Sequence, residues 1–296
     1  IKGIESGVVV ADFDEPSVFF ADAHRPTAEG GQASLRFVDE AIDAAKHGRI
    51  DAVVTGPIHK ISWRLAGYRR PGHTEKFADA CGVEQVTMAF AAGDLRVALA
   101  TAHVGLFELA GLFNIGCVFR AIDQLAWALK HWWGIDEPRV AVAGINPHAG
   151  EDGRFGHEEI RIIEPAITMA RLAGWNVEGP FPSDTLFVER SRRRFHGIVA
   201  MYHDQGLIPV KLLAFDSAVN LTLGLPIIRT SVDHGTAFDI AGQSKADPGS
   251  MKAALRLACE LARKRVPKMT DGAAILSARS RMAHPAEAPG DCPDFV

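Results

Sequence analysis

The chain has 296 residues, 47% of them apolar, and a formal net charge of −4. This length fits one large or two medium domains, and the weak negative charge argues against nucleic acid or an anionic membrane as a partner. No apolar run approaches the ~18 residues of a membrane span, and no signal peptide is recognisable. The four cysteines are far apart and form no CxxC pair, which predicts a reducing cytoplasm rather than disulfides or a cysteine metal site.

Predicted helices and strands alternate along the first part of the chain. A short strand is predicted for residues 6–11, followed by an irregular stretch over 12–31. Apolar residues at helical spacing predict a helix over 33–48, and DAVVT at 51–55 predicts a buried strand. Such alternation is typical of a parallel sheet.

The same alternation continues further along the chain. Three apolar runs have the length of a strand: 95–102, 139–145 and 198–201. Three segments have apolar residues at helical spacing: 114–133, 158–173 and 248–265. Polar stretches at 67–76 and 179–185 are predicted loops, and the Ala, Pro, Glu and Asp content from residue 282 predicts a poorly ordered tail.

Three histidines share one sequence context. His103, His148 and His203 each closely follow an apolar run of strand length. The carboxyl ends of parallel strands lie on one edge of a sheet, so the three side chains are able to converge there. Three neutral imidazoles that leave open positions on a divalent cation make a catalytic metal site. Separate, hydrogen-bonded structural histidines are the alternative.

Further polar clusters indicate a ligand site. The loop over 67–76 reads GYRRPGHTEK, and its cationic and hydroxyl groups suit an anion, although a solvated basic turn is the alternative. YHDQG at 202–206 lies just past a predicted strand, where open α/β sheets place ligands. A second dense polar run occupies 229–247. Surface loops without a function are the alternative for these last two.

Six long motifs occur in order between residues 51 and 261. They are TGPIHK (55–60), GHTE (72–75), ALATAH (98–103), GINPHAGEDGRFG (144–156), MYHDQGLIPVK (201–211) and VNLTLGLPIIRTSVDHGTAFDIAGQSKAD (219–247). With these motifs the chain resembles the 4-hydroxythreonine-4-phosphate dehydrogenase family, NAD-dependent enzymes of pyridoxal phosphate synthesis. The family binds NAD without a Rossmann fingerprint, so the resemblance also accounts for the lack of a GxGxxG motif after a strand.

The resemblance implies roles for particular residues. It implies a divalent metal, zinc first with Mg, Mn or Co as alternatives, on three ligands: His103, His148 and His203. It implies five substrate contacts: His73, Thr74, Lys211, Asn220 and Arg229. It implies NAD, with NADP as the alternative, against a loop that lies along the adenosine in related dehydrogenases: His234, Gly235, Thr236, Asp239, Gly242 and Asp247.

The resemblance also implies an α/β fold similar to isocitrate and isopropylmalate dehydrogenases, with a cleft between two domains. Residues 1–66 and 222–296 would form a discontinuous first domain on the NAD side. Residues 67–221 would form a second domain with the metal, substrate and dimer contacts. The family's Gly/Pro-rich loop upstream of TGP has no counterpart in this sequence, so the first domain is expected to lack its N-terminal part. The two alternatives are that the natural chain begins earlier and that this domain is reduced.

The implied reaction oxidises a secondary alcohol in a small phosphorylated hydroxy acid, such as 4-phosphohydroxy-L-threonine, and decarboxylation follows. Lys211 and Asp204 are the expected catalytic residues, with Lys211 acting as acid/base or holding a charged group. Substrates of the related phosphothreonate, phosphoerythronate and aromatic cis-dihydrodiol dehydrogenases are alternatives. A phosphate acyltransferase-like enzyme and an inactive phospholigand-binding protein are alternatives from other classes.

The resemblance finally implies a two-fold homodimer with an active site at the subunit interface. In the expected arrangement, His103 and His148 come from one subunit and His203 comes from the other. The two-fold axis then generates two equivalent sites.

Overall fold

A computed structural model describes residues 24–264 except 71 and 216, together with residues 7, 10, 11, 13 and 15. Half of the strand predicted for 6–11 and all of the predicted tail lie outside the described residues. Three of the four cysteines are described, and none of them forms a disulfide within this part: Cys81, Cys117 and Cys259. No helix in the described ranges is both long enough and apolar enough to cross a membrane.

One mixed sheet of eight strands runs through the described part of the chain. The strands are β1 (Ala52–Thr55), β2 (Thr87–Ala92), β3 (Leu95–Leu99), β4 (Arg139–Ala143), β5 (Asn176–Phe181), β6 (Gly197–Ala200), β7 (Val219–Leu223) and β8 (Ile228–Ser231). Their order in space is β1-β8-β7-β2-β3-β6-β4-β5. Strands β1 and β8 are parallel to each other, as are β3, β6, β4 and β5.

Two adjacent inner strands, β7 and β2, make the sheet mixed, so the expected parallel arrangement is correct only on either side of them. Both β2 and β7 are antiparallel to each of their neighbours. A tight turn at Gly93, where φ is +60°, joins β2 to β3. So short a connection allows antiparallel pairing alone, because parallel strands require a long crossover.

Helices and short helical turns connect these strands. The α-helices are α1 (Ala28–Lys46), α2 (Lys60–Leu65), α3 (His73–Cys81), α4 (Leu109–Leu112), α5 (Ile115–His131), α6 (Glu164–Leu172), α7 (Ser183–Leu186), α8 (Glu189–Arg192), α9 (His203–Ala214) and α10 (Gly249–Arg263). A π-helical turn, Glu159–Ile163, leads directly into α6. Two 3₁₀ turns lie at Pro147–Gly150 and Phe238–Ile240.

The long helices were predicted correctly, and the differences lie at their ends and in shorter elements. Helix α1 begins inside the predicted irregular stretch, because Thr27 Oγ1 accepts the Gly30 N–H at 3.1 Å and caps the helix. The predicted loop at 67–76 contains the start of α3, and the one at 179–185 contains the end of β5 and α7. Helix α9 was not predicted, since Pro209 within it hides the helical pattern.

The core consists of apolar clusters on the two faces of the sheet. Helix α5 packs on one face through Ile122, Leu125 and Leu129. Helix α9 packs on the opposite face, where a Cβ on Gly206 would lie only 2.5 Å from Leu99 Cδ2. Because only glycine permits this close approach, α9 lies tightly on β3, and its first residue is held near the end of that strand.

Candidate active site

Three neighbouring parallel strands end at one edge of the sheet, and a predicted metal ligand follows each of them. Strands β3, β6 and β4 are adjacent in that order. His103 follows β3, His203 follows β6 and His148 follows β4. The structure therefore confirms the common edge that the sequence predicted for the three histidines.

His103 and His203 lie side by side within one chain, with ring centroids 5.9 Å apart. Burial lowers the pKa of His103, and Lys60 and His203 lower it further, so this imidazole is neutral at pH 7. His203 Nδ1 lies 2.7 Å from Asp204 Oδ1. This contact orients the His203 ring and leaves its Nε2 available to a cation, as second-shell carboxylates commonly do.

The third histidine, His148, stands in a backbone turn of rare conformation. All residues over 148–153 have positive φ, including His148 at 53° and Ala149 at 51°. A non-glycine residue in this region costs on the order of 1–3 kcal/mol, and such strain tends to cluster at functional sites. The His148 ring packs against Phe155, with centroids 5.8 Å apart.

One chain thus pairs two of the three predicted ligands. No group of three or more His, Cys, Asp or Glu side chains within the described residues is arranged to hold a metal ion. His103 lies beside His203 in the chain, because the strand order places β6 between β3 and β4. The division of the three ligands between subunits stays a prediction.

Polar side chains of three adjacent strands, β1, β8 and β7, lie together on one face of the sheet. In the register of β1, β8 and β7, Ser231 lies opposite both Thr55 and Asn220. Residues two apart along a strand point to the same face. The face therefore carries five polar side chains: Thr55, Asn220, Thr222, Arg229 and Ser231. Buried polar groups need partners, so a polar stripe inside apolar strands favours a ligand site over simple core packing.

Arg229 lies at the centre of this polar face and is only 4% exposed. Its Nη2 and Nε donate to Thr55 Oγ1 at 2.7 and 3.2 Å, and its Nη1 donates to Thr222 Oγ1 at 3.0 Å. In the described part of the chain its hydrogen-bond partners are these hydroxyls, with no carboxylate among them. Burial lowers the pKa of Arg229 to about 10, although Glu75 acts in the opposite direction. A buried guanidinium with no carboxylate hydrogen-bonded to it suits an anionic ligand.

Helix α3 begins beside Arg229 with two predicted substrate contacts, His73 and Thr74. The Arg229 Cζ lies 5.6 Å from the ring centroid of Phe77, and the His73 ring packs edge-on against Trp63 at 5.3 Å. Burial, followed by the charge of Arg229, lowers the pKa of His73 to about 3. His73 is therefore a neutral hydrogen-bonding group beside a buried cation. The first N–H groups of a helix lack acceptors within the helix and favour an anion.

The predicted substrate contacts lie on regular elements, including His73 and Thr74, for which the sequence predicted a loop. His73 and Thr74 open α3, Lys211 lies on α9 and Arg229 lies on β8. Asn220 lies on β7, on the same face as Arg229. The loop predicted at 67–76 was wrong for His73 and Thr74, because polar residues at the start of α3 hide its apolar pattern.

Lys211 forms an ion pair with Asp233, which follows β8. Its Nζ also lies 5.4 Å from the ring centroid of Phe215. The side chains of Lys211 and Asp233 are 38% and 24% exposed, so the pair remains accessible from solvent. Asp233 thus joins the site as the carboxylate partner of Lys211, a role that the sequence did not assign to it.

The predicted cofactor contacts all lie on the largely exposed segment that follows β8: His234, Gly235, Thr236, Asp239, Gly242 and Asp247. Phe238 of this segment stacks on His59, with centroids 5.0 Å apart. At its other end, Asp247 Oδ1 accepts the Gly249 N–H at 2.8 Å. A Cβ on Gly235 would meet nothing within 4 Å, so no close backbone approach occurs there within the chain itself.

The sequence did not single out three buried polar residues that hold the site together: Thr55, Thr222 and Glu159. A fourth, Gln205, lies in the YHDQG run that was predicted to face a ligand. Thr55 and Thr222 lie in the strand sequences DAVVT and VNLTL. A polar residue within an apolar strand was the signal in the sequence that could have identified them. Glu159 lies within an apolar helical pattern, and its contacts to a distant loop leave no local trace in the sequence.

Fold and site together define a mixed α/β protein with a ligand site built from strand ends and helix starts. The family described as "Pyridoxal phosphate biosynthetic protein PdxA" matches residues 5–258, and the chain belongs to this family. A 4-hydroxythreonine-4-phosphate dehydrogenase of Desulforapulum autotrophicum is 49% identical over 236 residues, which cover 80% of this chain and 69% of that protein. A D-threonate 4-phosphate dehydrogenase of Cupriavidus necator is 47% identical over 240 residues, covering 81% and 72%.

A solved structure supports the same assignment. The 4-hydroxythreonine-4-phosphate dehydrogenase of Klebsiella pneumoniae superposes with a TM-score of 0.77 at 42% identity, covering 81% of this chain and 73% of that one. These comparisons confirm the resemblance predicted from the motifs. Since the named relatives are dehydrogenases, the family is one of oxidoreductases, which favours a dehydrogenase over the phosphate acyltransferase-like alternative.

Proposed function

We propose that the protein is a dehydrogenase, dependent on NAD and a divalent metal, that oxidises the secondary alcohol of a small phosphorylated hydroxy acid such as 4-phosphohydroxy-L-threonine. Decarboxylation of the resulting keto acid follows. The observation that carries the proposal is the buried Arg229, held by hydroxyls alone beside His73 and Thr74. This arrangement suits a phosphate, which a guanidinium binds bidentately.

The donor groups of the two adjacent histidines fit a divalent metal. His103 is neutral, and His203 has its Nε2 available because Asp204 holds Nδ1. We assign the third ligand to His148 of the partner subunit. A bound Zn²⁺, or Mg²⁺, Mn²⁺ or Co²⁺, would supply Lewis-acid stabilisation for the negative charge that develops on the substrate oxygen. Asp204 acts here as a positioning residue for His203.

Residues 234–247 are proposed to lie along the adenosine half of NAD. The segment is fixed by the Phe238–His59 stack and by the Asp247–Gly249 hydrogen bond, while most of its side chains remain exposed. Lys245 is its one basic residue, so NADP is the alternative cofactor. The nicotinamide, when bound, supplies the hydride acceptor, and the protein supplies position and electrostatic field.

Residues of the chain itself bind the substrate and transfer the proton. Arg229, His73 and Thr74 hold the anionic head of the substrate. Proton transfer is assigned to Lys211 Nζ, because its ion pair with Asp233 places a carboxylate beside it that is able to share the proton.

A two-fold homodimer is part of the proposal, with each site completed across the interface. Helix α9, which begins at His203, exposes four apolar side chains at its outer surface and end: Ile208, Leu212, Leu213 and Phe215. Phe107, close to His103, is 99% exposed. Exposed apolar side chains of this kind mark interaction surfaces, and here they follow two proposed metal ligands closely in the sequence.

The division into two lobes similar to isocitrate dehydrogenase also remains a proposal. The first lobe would comprise residues 1–66 and 222–296, and the second 67–221. The core around Trp63 includes Phe77, so apolar packing crosses the first of these boundaries.

A second candidate substrate is D-threonate 4-phosphate, for which the Cupriavidus necator relative is named. It has the same phosphate and a similar secondary alcohol, so it would use the same Arg229 site. The two candidates differ at carbon 2, which bears an ammonium group in the phosphohydroxythreonine and a hydroxyl group in the threonate phosphate.

The test measures NADH formation with purified protein and a panel of phosphorylated hydroxy acids, their dephosphorylated analogues and aromatic cis-dihydrodiols. We expect the dephosphorylated analogues to lose most of kcat/KM, since each hydrogen bond to a charged group contributes about 1.5–3 kcal/mol. Equal turnover with and without phosphate would favour the cis-dihydrodiol alternative. Ligand binding without NADH formation, with or without added metal, would support the inactive binding protein.

A further inference from the structure

A continuous chain of buried hydrogen bonds lies beneath the three histidine segments. Thr101 Oγ1 donates to the Met201 carbonyl at 2.7 Å, which ties the segment of His103 to that of His203. The Met201 N–H donates to Gln205 Oε1 at 2.6 Å. Gln205 Nε2 in turn donates to the Gly144 carbonyl at 2.7 Å, at the start of the segment that carries His148. Gln205 therefore bridges two histidine segments with one side chain.

From Gly144 the network continues along the backbone to Ile145 and Asn146, which donate to Glu159, a residue that is almost completely buried. Glu159 Oε1 accepts the N–H groups of Ile145 and Asn146, each at 2.8 Å. Glu159 Oε2 accepts from Asn146 Nδ2 at 2.9 Å. The carboxylate thus fixes the residues that lead from Gly144 into the left-handed turn of His148.

The packing around Glu159 shows that the turn is built against this carboxylate. A Cβ on Gly150 would lie 2.7 Å from Glu159 Oε2, and one on Gly144 would lie 3.1 Å from Oε1. Both glycines flank His148 in the chain. Because backbone in the left-handed region persists only when its surroundings determine it, the contacts to Glu159 account for the placement of His148.

We propose that Gln205 and Glu159 are positioning residues that set where each subunit presents His148 before any cation binds. Neither side chain touches substrate or metal in this role. Gln205 holds the two strand-end segments at a fixed separation, and Glu159 holds the turn. The inference rests on the metal site of the proposed function, in which each subunit supplies His103 and His203 to one cation and His148 to the other cation of the dimer. The placement of His148 within its own subunit then decides whether the three imidazoles of a site can reach one cation together.

The chain offers a matched control for the loss of a buried glutamine. Gln124 is 5% exposed and Gln205 is 9% exposed, and each donates to a backbone carbonyl, of Gln85 and Gly144 respectively. Gln124 lies on α5 and has no hydrogen bond to a histidine segment. The variants Gln205→Leu and Gln124→Leu therefore make the same chemical change at two buried sites, only one of which lies in the network.

The experiment titrates Co²⁺ into the purified full chain, follows its visible absorption and measures the thermal midpoint of each variant. Gln205→Leu and Glu159→Leu should weaken Co²⁺ binding by about 10- to 100-fold, the range typical of outer-shell partners. Gln124→Leu should shift the thermal midpoint while leaving Co²⁺ affinity within about twofold. Glu159→Gln should restore most of the affinity, because its Oε1 still accepts both backbone N–H groups.

A second measurement needs no cation. Deuterium uptake of residues 144–156, read by mass spectrometry without added metal, should rise in Gln205→Leu although Gln205 lies on another element. If Gln205→Leu fails to fold, Gln205→Asn replaces it, since the shorter amide cannot reach both Met201 and Gly144.

The outcomes separate the two proposals. Wild-type Co²⁺ affinity in the Gln205 and Glu159 variants, with binding lost in His203→Ala, would overturn the positioning role and leave the metal site intact. Absence of Co²⁺ binding in the wild type would overturn the metal site and, with it, the role in metal binding. Unchanged deuterium uptake in Gln205→Leu would overturn the claim that Gln205 holds the turn.

Discussion

Protonation of His73 should destabilise the protein at mildly acidic pH. Burial and the charge of Arg229 lower the pKa of His73 from 6.5 to about 3. The folded protein therefore binds this proton more weakly than the unfolded chain does. As the pH falls from 6.5 toward about 3, the unfolded chain takes up the proton first, and the free energy of unfolding decreases. Between pH 8 and pH 5 the expected loss is about 2 kcal/mol from this one residue.

The assay compares urea unfolding of the wild type with His73→Gln, which cannot be protonated. Other titrating groups affect both proteins equally, so the difference between their unfolding free energies isolates His73. That difference should change by about 2 kcal/mol between pH 8 and pH 5, with the wild type losing more. Parallel pH curves for the two proteins would show that His73 is not held neutral by the fold and would refute the reasoning.

Other predictions concern the shared site and the cofactor segment. Mixing His148→Ala subunits with His103→Ala subunits should restore about a quarter of wild-type activity, because half of the dimers then carry one intact site of two. Mixing His103→Ala with His203→Ala should restore none, because every site then lacks one ligand. The reverse result would support the grouping expected from the sequence. Asp247→Ala should raise the KM for NAD more than the KM for substrate, and the opposite pattern would assign the segment to the substrate. Arg229→Lys should lower kcat/KM by about 10- to 100-fold for phosphorylated substrates only; an equal loss for dephosphorylated analogues would contradict phosphate binding.

The positions of the histidines show how far the sequence alone could lead. Apolar runs before His103, His148 and His203 correctly predicted that three parallel strands end beside them. The runs carry no information on which strands are neighbours, because strand order depends on contacts between residues far apart in sequence. The pairing of His103 with His203 therefore became visible only in the tertiary structure.

The substrate face shows the same limit in another form. The motifs correctly assigned the chain to its family, and through that resemblance they named Asn220 and Arg229 as candidate contacts. They did not indicate that Arg229 is buried, or that Thr55, 174 residues earlier in the chain, provides its hydroxyl partner.

The sequence by itself determined the long helices, most of the parallel strands and the family, since these depend on local periodicity and on uninterrupted motifs. Only the tertiary structure decided the charge states and the hydrogen-bond network of the site. The neutral state of His73 follows from burial next to Arg229, and the turn of His148 follows from contacts to Glu159 and Gln205. Burial and long-range hydrogen bonds arise from the packing of distant segments, so no local pattern in the chain encodes them.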